Sequence, residues 1–237
     1  MQVKTKAIVI SALKYQEKSL IVKCFTQSDG IKTYFVANAF ASKKSMQKIA
    51  YFQPLTILEI EATHKNKGTL EYFKEIKMGY PFKTIHQNIV KSALVLFLSE
   101  VLHHCIKEEE QNEPFFDYLE TALVWLDEHD EIANFHLILL LGMTRHFGFY
   151  PAVSNQEAPF FEMTEGVFTT YHGLSCLSEH ETVLFKKLIS LRFDSEAKLF
   201  VANERQILLK ILVDYYAIHL DGFKKPKSLE VLIEVFS

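Results

Sequence analysis

The chain has 237 residues, of which 49% are hydrophobic and 23% charged, and such a chain can bury one large core or two modest ones. The longest apolar stretches, residues 93–98 and 137–143, are far shorter than the roughly 20 residues that span a bilayer, which excludes transmembrane helices. The net charge of −3 hides two opposite halves: residues 1–80 carry 13 Lys, no Arg and 6 acidic residues, a net +7, and residues 81–237 carry −10. The basic half predicts a polyanionic partner, with a solvated surface as the alternative.

The first 80 residues predict a small antiparallel barrel, because apolar residues alternate in period two and turn signals interrupt them at short intervals. A long connection, residues 40–52, lacks this alternation and separates the third strand from the fourth. Five short strands with a long connection after the third are typical of an OB-fold. The predicted strands are residues 3–13, 19–26, 31–38, 55–63 and 69–76.

From residue 81 onward, apolar residues recur at spacings of three and four, which predicts helices. Residues 150–177 interrupt this pattern with Pro and Gly, so we predict an irregular insertion with one hairpin around residues 160–170. The predicted helices are residues 85–107, 114–128, 132–147, 179–191, 204–220 and 228–236. We therefore expect an α+β multidomain protein, with an OB-fold domain at 1–80 and an all-α helical domain at 81–237.

Two helix starts have recognisable capping residues. Ser178 is followed three residues later by Glu181, which predicts a capping box at the start of the fourth helix. Asn203 is the predicted N-cap of the fifth helix, because its short polar side chain can accept a hydrogen bond from the first turn.

The basic barrel is the predicted nucleic-acid interface, because cations suit backbone phosphates and flat aromatic side chains suit unstacked bases. On the third strand, Lys32 and Tyr34 share the face that we predict to contact nucleic acid. The pattern leaves open whether Tyr34, Phe40 and Tyr51 stack on bases or belong to the core. The aromatic residues predicted for the core are Phe25, Phe35, Tyr72 and Phe73. Further lysines lie in the connection and in the hairpin loop that flank an OB-fold binding face, namely Lys43, Lys44, Lys48, Lys65 and Lys67.

The absence of Arg from the basic half predicts binding without sequence preference. Arg reads guanine through two parallel hydrogen bonds, whereas Lys acts as a mobile point charge on phosphate. The alternative interpretation is that these lysines keep the sheet in solution and protect its edges.

Neither a metal centre nor a catalytic site is predicted. His172, Cys176 and His180 follow one another at spacings of four, but a structural zinc site needs four ligands, and no pair of cysteines lies nearby. The three cysteines are widely separated, so no disulfide framework is encoded, and a reducing cytoplasm fits best. Sequence motifs for nucleotide binding or for a catalytic nucleophile are absent, which predicts a protein that is not an enzyme and has no small-molecule substrate.

Several short segments resemble motifs of the RecO family and occur in the same order. The third of them resembles the basic loop G-A-R-S-K-[KR]-S of that family, the fourth its [LF]-Q-P, and the fifth the helix that ends in G-x-x-P. In chain order the segments are Glu17-Lys18-Ser19-Leu20-Ile21, Phe25-Thr26 through Gly30, Ala41-Ser42-Lys43-Lys44-Ser45, Phe52-Gln53-Pro54, Phe135 to Pro151, and Lys227-Ser228-Leu229. The resemblance runs over nearly the whole chain.

The resemblance implies a DNA repair and homologous recombination mediator in the cytoplasm, associated with the nucleoid. It implies annealing of complementary strands, partnership with RecR, and loading of recombinase onto strands coated by single-strand-binding protein. The acidic and apolar tail of that protein is implied to dock on the helical domain beside cations. The candidate cations are Lys186, Lys187, Lys224, Lys225 and Lys227. Many relatives carry a four-cysteine zinc knuckle, but here Ser154 and Asn155 lie where its first pair would begin, so zinc is rejected.

Two other functions remain as alternatives. The chain could be a protein-interaction adaptor whose barrel never contacts nucleic acid, or a metal-dependent nuclease that uses acidic residues of the helical half. DNA binding that weakens steeply with salt distinguishes the mediator from the adaptor. Cleavage in magnesium or manganese distinguishes the nuclease.

Overall fold

Five antiparallel strands form a closed barrel at the start of the chain. The structure is a computed structural model that describes residues 1–42, 48–65, 70–107, 111–195 and 199–236. The strands lie in the order β3-β2-β1-β4-β5, and a parallel bridge between Tyr34 and Glu71 joins β3 to β5 and closes the barrel. The predicted OB-fold is confirmed. The strands are β1 (Gln2–Tyr15), β2 (Ser19–Thr26), β3 (Gly30–Val36), β4 (Ile57–Thr63) and β5 (Tyr72–Met78), with a 3-10 helix at Lys48–Phe52 before β4.

Strand β1 is buried on both of its faces along its middle. Ala7 and Val9 belong to the barrel core, and the alternate residues Ile8 and Ile10 are also buried, on the side where a helix packs on β1. In the described part of the chain after the barrel there are six α-helices: α1 (Ile89–Cys105), α2 (Glu113–Glu128), α3 (Phe135–His146), α4 (Glu179–Ser190), α5 (Ala202–His219) and α6 (Leu229–Val235). The predicted helices are confirmed, with ends that differ from the predicted ones by up to four residues.

The segment that leaves the barrel is fastened to α1 and α2 by one buried carboxylate. Asp127 accepts hydrogen bonds from the backbone N–H groups of Lys83, Thr84 and Ile85, at 2.8 to 3.1 Å. The ammonium group of Lys91, which is 1% exposed, donates to the Thr84 hydroxyl and to the Asp127 carbonyl. Burial opposes ionisation of Asp127, but the three backbone donors outweigh it and lower the pKa of the carboxyl.

The chain divides into two compact units. The first unit is Met1–Glu128 with Pro226–Ser228, and the second is His129–Lys225 with α6. Helices α1 and α2 belong to the first unit because they pack with the barrel, and the domain boundary predicted near residue 80 stays a prediction. Among the described residues, no helix is long and apolar enough to cross a bilayer.

The second unit combines α3 to α6 with the irregular insertion. The insertion contains the predicted hairpin, formed by β6 (Phe160–Glu162) and β7 (Val167–Thr169). The capping box at α4 is confirmed: the Glu181 N–H donates to the Ser178 hydroxyl, and the Ser178 N–H donates to the Glu181 carboxylate. The predicted cap at Asn203 is wrong, because α5 begins two residues earlier than predicted and Val201 occupies the cap position.

The stability of the second unit is expected to fall as the pH is lowered below about 6.5. His136 on α3 is 2% exposed and contacts the Phe236 ring, and burial together with the nearby Arg205 lowers its pKa to about 3. The unfolded chain binds a proton at an ordinary pKa of about 6.5, so acid favours unfolding. Between pH 7 and pH 5 we expect this one residue to remove about 2 kcal/mol of stability. Urea denaturation at the two pH values measures it.

The variant His136→Leu removes this imidazole and should show a smaller pH dependence than the wild type. The variant His180→Leu removes an exposed imidazole from the same unit and serves as the control. Equal pH dependence in the wild type and in His136→Leu would contradict the assignment.

Candidate nucleic-acid interface

The face of β3 that was predicted to contact nucleic acid is turned inward. Tyr34 is fully buried and stacks on Phe73, with the ring centroids 4.0 Å apart. Lys32 shares that side of the strand and is 6% exposed. The prediction that Lys32 and Tyr34 offer an open surface is therefore wrong. Closure of the barrel by β5, through the bridge to Glu71, covers them.

Tyr34 belongs to a buried polar chain inside the barrel. Its hydroxyl lies 2.7 Å from Nε2 of His64, and Nδ1 of His64 lies 3.1 Å from the Asp29 carboxylate. Burial and the nearby Cys24, Asp29 and Glu71 raise the pKa of Tyr34 well above its ordinary value, so the hydroxyl keeps its proton. These contacts give Tyr34 a structural position and leave no ring face for a base.

An aromatic strip of Tyr15, Phe35 and Tyr72 lies on the outward face of the barrel. The ring centroid of Phe35 is 6.1 Å from those of both tyrosines, and its plane is nearly perpendicular to theirs. Tyr15 is 43% exposed and Tyr72 51% exposed, so both keep surface on which an unpaired base can stack. Among the aromatic residues predicted for the core, Phe25 is confirmed at 1% exposure and Phe73 packs against the core, whereas Tyr72 lies on the surface and Phe35 is only half-buried.

Helices α1 and α2 pack on another part of the outward face than the strip. Farther along β2, the Lys23 ammonium donates to the carbonyls of His103 and Ile106 at the carboxyl end of α1. Burial there lowers the pKa of Lys23. Phe25 contacts two rings of α2, with centroids 5.5 and 5.7 Å away. These residues therefore attach helices to the barrel, while the strip faces outward.

Three exposed lysines are called the strip lysines: Lys14 and Lys18 lie at the β1–β2 turn next to Tyr15, and Lys65 lies beside Tyr72. None of them forms an ion pair with another residue that the structure describes. The Lys65 ammonium lies 5.6 Å from the centroid of the Tyr72 ring, and that of Lys14 lies 5.5 Å from the Phe40 ring. The Phe40 N–H donates to the Lys18 carbonyl, which attaches the long connection to the β1–β2 turn.

Lysines on the outward face of β1 and β5 are instead matched by polar or acidic partners. Lys4 pairs with Glu61 at 3.5 Å, and Lys77 pairs with Glu75 at 3.0 Å. Lys74 donates to the amide oxygen of Gln2. A fourth lysine pairs with a carboxylate of α2: Lys6–Glu120, at 2.9 Å. Carboxylates interleaved with cations make this face a poor partner for a polyanion, so the barrel is electrostatically two-sided.

Of the other barrel lysines predicted to contact nucleic acid, the structure describes one. Lys48 is exposed at the start of the 3-10 helix, whose Ile49 and Tyr51 pack against the barrel core. The other three lie outside the described residues: Lys43, Lys44 and Lys67.

The lysines predicted to meet a protein tail differ in their surroundings. In the second unit, the Lys186 ammonium donates to the Ala158 carbonyl at 2.7 Å, and Lys225 pairs with Asp214 at 2.7 Å. Lys187 and Lys224 are exposed in the same unit. The fifth, Lys227, is exposed in the segment that belongs to the first unit.

The His172, Cys176 and His180 positions do not converge on one point in the structure. Across the described part of the chain, no three His, Cys, Asp or Glu side chains are grouped as metal ligands would be. The Cys176 sulfur instead accepts a hydrogen bond from the Gly173 N–H, and the His172 ring contacts Phe160. That the protein binds no zinc stays a prediction.

Tyr15, Lys14 and Lys18 were missed as candidate site residues. They flank the β1–β2 turn, which is one of the two loops that border the binding face of an OB-fold. The presence of an aromatic residue and two lysines at that turn was the signal that could have identified them.

Comparison with known proteins matches both parts of the chain to one family. The model described as "Recombination protein O N terminal" matches residues 1–82, and "Recombination protein O C terminal" matches residues 86–230. Proteins named "DNA repair protein RecO" are similar over the full length of both chains: 71% identical in Flavobacterium psychrophilum, 67% in Flavobacterium johnsoniae and 42% in Christiangramia forsetii.

Proposed function

Because the chain belongs to the RecO family of DNA repair proteins, we propose that it is a mediator of homologous recombination that binds single-stranded DNA through the aromatic strip and the strip lysines. Tyr15 and Tyr72 stack on bases, and Lys14, Lys18 and Lys65 contact phosphates. The exposed Lys48 and the loop residues Lys43, Lys44 and Lys67 extend the basic surface.

The observation that carries this proposal is the two-sided distribution of charge on the barrel. The strip lysines have no carboxylate partner among the described residues, whereas the lysines on the outward face of β1 and β5 are paired. Counterions accumulate on DNA and are released when unpaired cations replace them, so only the first group gains from contact with phosphates. Lys also contacts phosphates without reading base edges, which supports binding without sequence preference.

The proposed steps beyond DNA binding are based on the resemblance to the RecO family. We propose that the protein anneals complementary strands, acts with RecR, and helps to load recombinase onto strands coated by single-strand-binding protein. The exposed Lys187, Lys224 and Lys227 are the candidate cations for the acidic tail of that protein. We also propose that it is not an enzyme, requires no zinc, and works in the cytoplasm at the nucleoid.

Fluorescence anisotropy of a labelled oligothymidine tests the proposal. Titration at two salt concentrations should give an association constant that falls steeply as salt rises. Absence of binding at low salt would favour the adaptor, and cleavage of the strand in magnesium or manganese would favour the nuclease. The same titration with oligoadenosine should give a similar slope, because phosphate contacts are shared by all sequences.

Replacing Tyr15 and Tyr72 together by Ala is expected to weaken binding to the oligothymidine by about 30-fold or more, because each lost ring removes a stacking surface for a base. The dependence of affinity on salt should stay unchanged, since no charge is altered. Tyr171→Ala, which removes an 83% exposed ring from the second unit, is the matched control and should bind as the wild type does. Unchanged affinity in a folded double variant would contradict stacking on the strip.

A further inference from the structure

Glu71 is a buried acidic residue located next to the proposed interface. It is 3% exposed, and its carboxylate accepts a hydrogen bond from the Lys65 N–H at 2.7 Å. Its backbone N–H donates to the Thr33 carbonyl at 2.8 Å, and its carbonyl accepts from the Phe35 N–H at 2.9 Å. The backbone of Glu71 therefore closes the barrel against β3, while its carboxylate holds Lys65, the second residue of the β4–β5 connection.

These contacts determine where two residues of the interface lie. Tyr72 directly follows Glu71, so closure against β3 brings its ring beside Phe35. Lys65 is held at its backbone by the carboxylate, and its ammonium lies 5.6 Å from the centroid of the Tyr72 ring. The preceding His64 is buried, which fixes the chain just before Lys65. Both exposed residues are therefore anchored by a buried neighbour.

A carboxylate is an unexpected choice at this position. Burial of a carboxylate costs free energy, and its negative charge lies close to a surface that is proposed to attract phosphates. On electrostatic grounds alone, removal of Glu71 should strengthen DNA binding. If the side chain instead holds the Lys65 N–H, removal of Glu71 should weaken DNA binding. Without that hydrogen bond, the backbone at Lys65 could shift, and Lys65 and Tyr72 could move apart.

We propose that Glu71 is a positioning residue for nucleic-acid binding, which holds Lys65 and Tyr72 in the geometry that single-stranded DNA requires. This inference rests on the proposed function. It assigns to Glu71 a role through its hydrogen bond to the Lys65 N–H, and no contact with DNA.

Two substitutions of Glu71 distinguish the effect of its side-chain length from the effect of its charge. Glu71→Gln keeps an oxygen at the same distance but loses the charge, whereas Glu71→Asp keeps the charge but is one methylene too short to reach the Lys65 N–H. In the anisotropy titration with oligothymidine, we expect Glu71→Asp to bind about fivefold more weakly than the wild type and Glu71→Gln to bind within about twofold of it. Glu75→Ala removes an exposed carboxylate from β5, the strand that directly follows Glu71, and this variant should bind equally well or more tightly.

Amide hydrogen exchange without DNA supplies the second measurement. The Lys65 amide should exchange faster in Glu71→Asp than in the wild type and in Glu71→Gln, while amides of β1 and β2 keep their protection. Wild-type affinity in Glu71→Asp, equally weak binding by Glu71→Gln, or loss of protection throughout the barrel would each overturn the positioning role. Failure of the wild type to bind the oligonucleotide would instead overturn the proposed function itself.

Discussion

Replacing Lys14, Lys18 and Lys65 together by Ala is expected to weaken binding to single-stranded DNA by about 100-fold at 0.1 M salt. Each lysine that contacts a phosphate of a single strand contributes about 0.7 to the slope of log association constant against log salt concentration, so the slope should decrease by about 2. Because the effect is electrostatic, the difference from the wild type should shrink as salt rises. Anisotropy titrations over a series of salt concentrations measure both quantities.

The matched control removes the same number of lysines from the other side of the barrel. Lys4, Lys74 and Lys77 already have partners, in Glu61, Gln2 and Glu75 respectively. Their triple replacement by Ala leaves the protein with the same net charge as the strip variant. Because these three lysines already have partners, their replacement should change the affinity and the salt slope much less than the strip variant does. Equal losses in the two triple variants would show that net charge alone determines binding and would contradict a localised interface.

Replacing Asp127 by Ala is expected to destabilise the first unit by about 3–5 kcal/mol. The substitution leaves the N–H groups of Lys83, Thr84 and Ile85 without their acceptor, and an unsatisfied buried polar group costs about 1–3 kcal/mol. Because hydrogen bonds lower the pKa of Asp127 in the folded state, its contribution is present above the ordinary pKa of a carboxyl and is lost as the pH falls through the lowered value. Urea denaturation at neutral pH gives the change in unfolding free energy.

Asp117→Ala on the same helix is the control for this prediction. Asp117 is exposed and accepts one hydrogen bond, from the Gln27 side chain at 3.0 Å, so its loss should cost less than about 1 kcal/mol. If Asp127→Ala is no more destabilising than Asp117→Ala, the Asp127 carboxylate does not hold the segment after the barrel.

The strands and the OB-fold were predictable because their signals are local. Period-two alternation, the turn at residues 28–30 and the long connection all appear in consecutive residues. Local signals did not predict which face of β3 lies inward. Each face carries one aromatic residue, Tyr34 on one and Phe35 on the other. The inward face is determined by the pairing of β3 with Glu71, which is distant in the chain.

The two-sided charge distribution also depends on contacts that the sequence does not display. Counting lysines gives the same weight to Lys65 as to Lys4, although among the described residues only Lys4 has a carboxylate partner. Strand register decides this, since it places Lys4 of β1 opposite Glu61 of β4. The association of α1 and α2 with the barrel has a similar origin, because burial of Ile8 and Ile10 on the second face of β1 follows from tertiary packing.

Photochemical crosslinking tests the location of the interface most directly. An oligonucleotide in which 5-bromodeoxyuridine replaces thymidine is bound to the wild-type protein and irradiated, and the crosslinked peptides are identified by mass spectrometry. Crosslinks are expected in the peptides that contain Tyr15, Phe35 or Tyr72, because bases stacked on the strip lie against these rings. Crosslinks confined to the strands that carry Lys4 and Lys77, or to the second unit, would contradict the assignment of DNA binding to the aromatic strip.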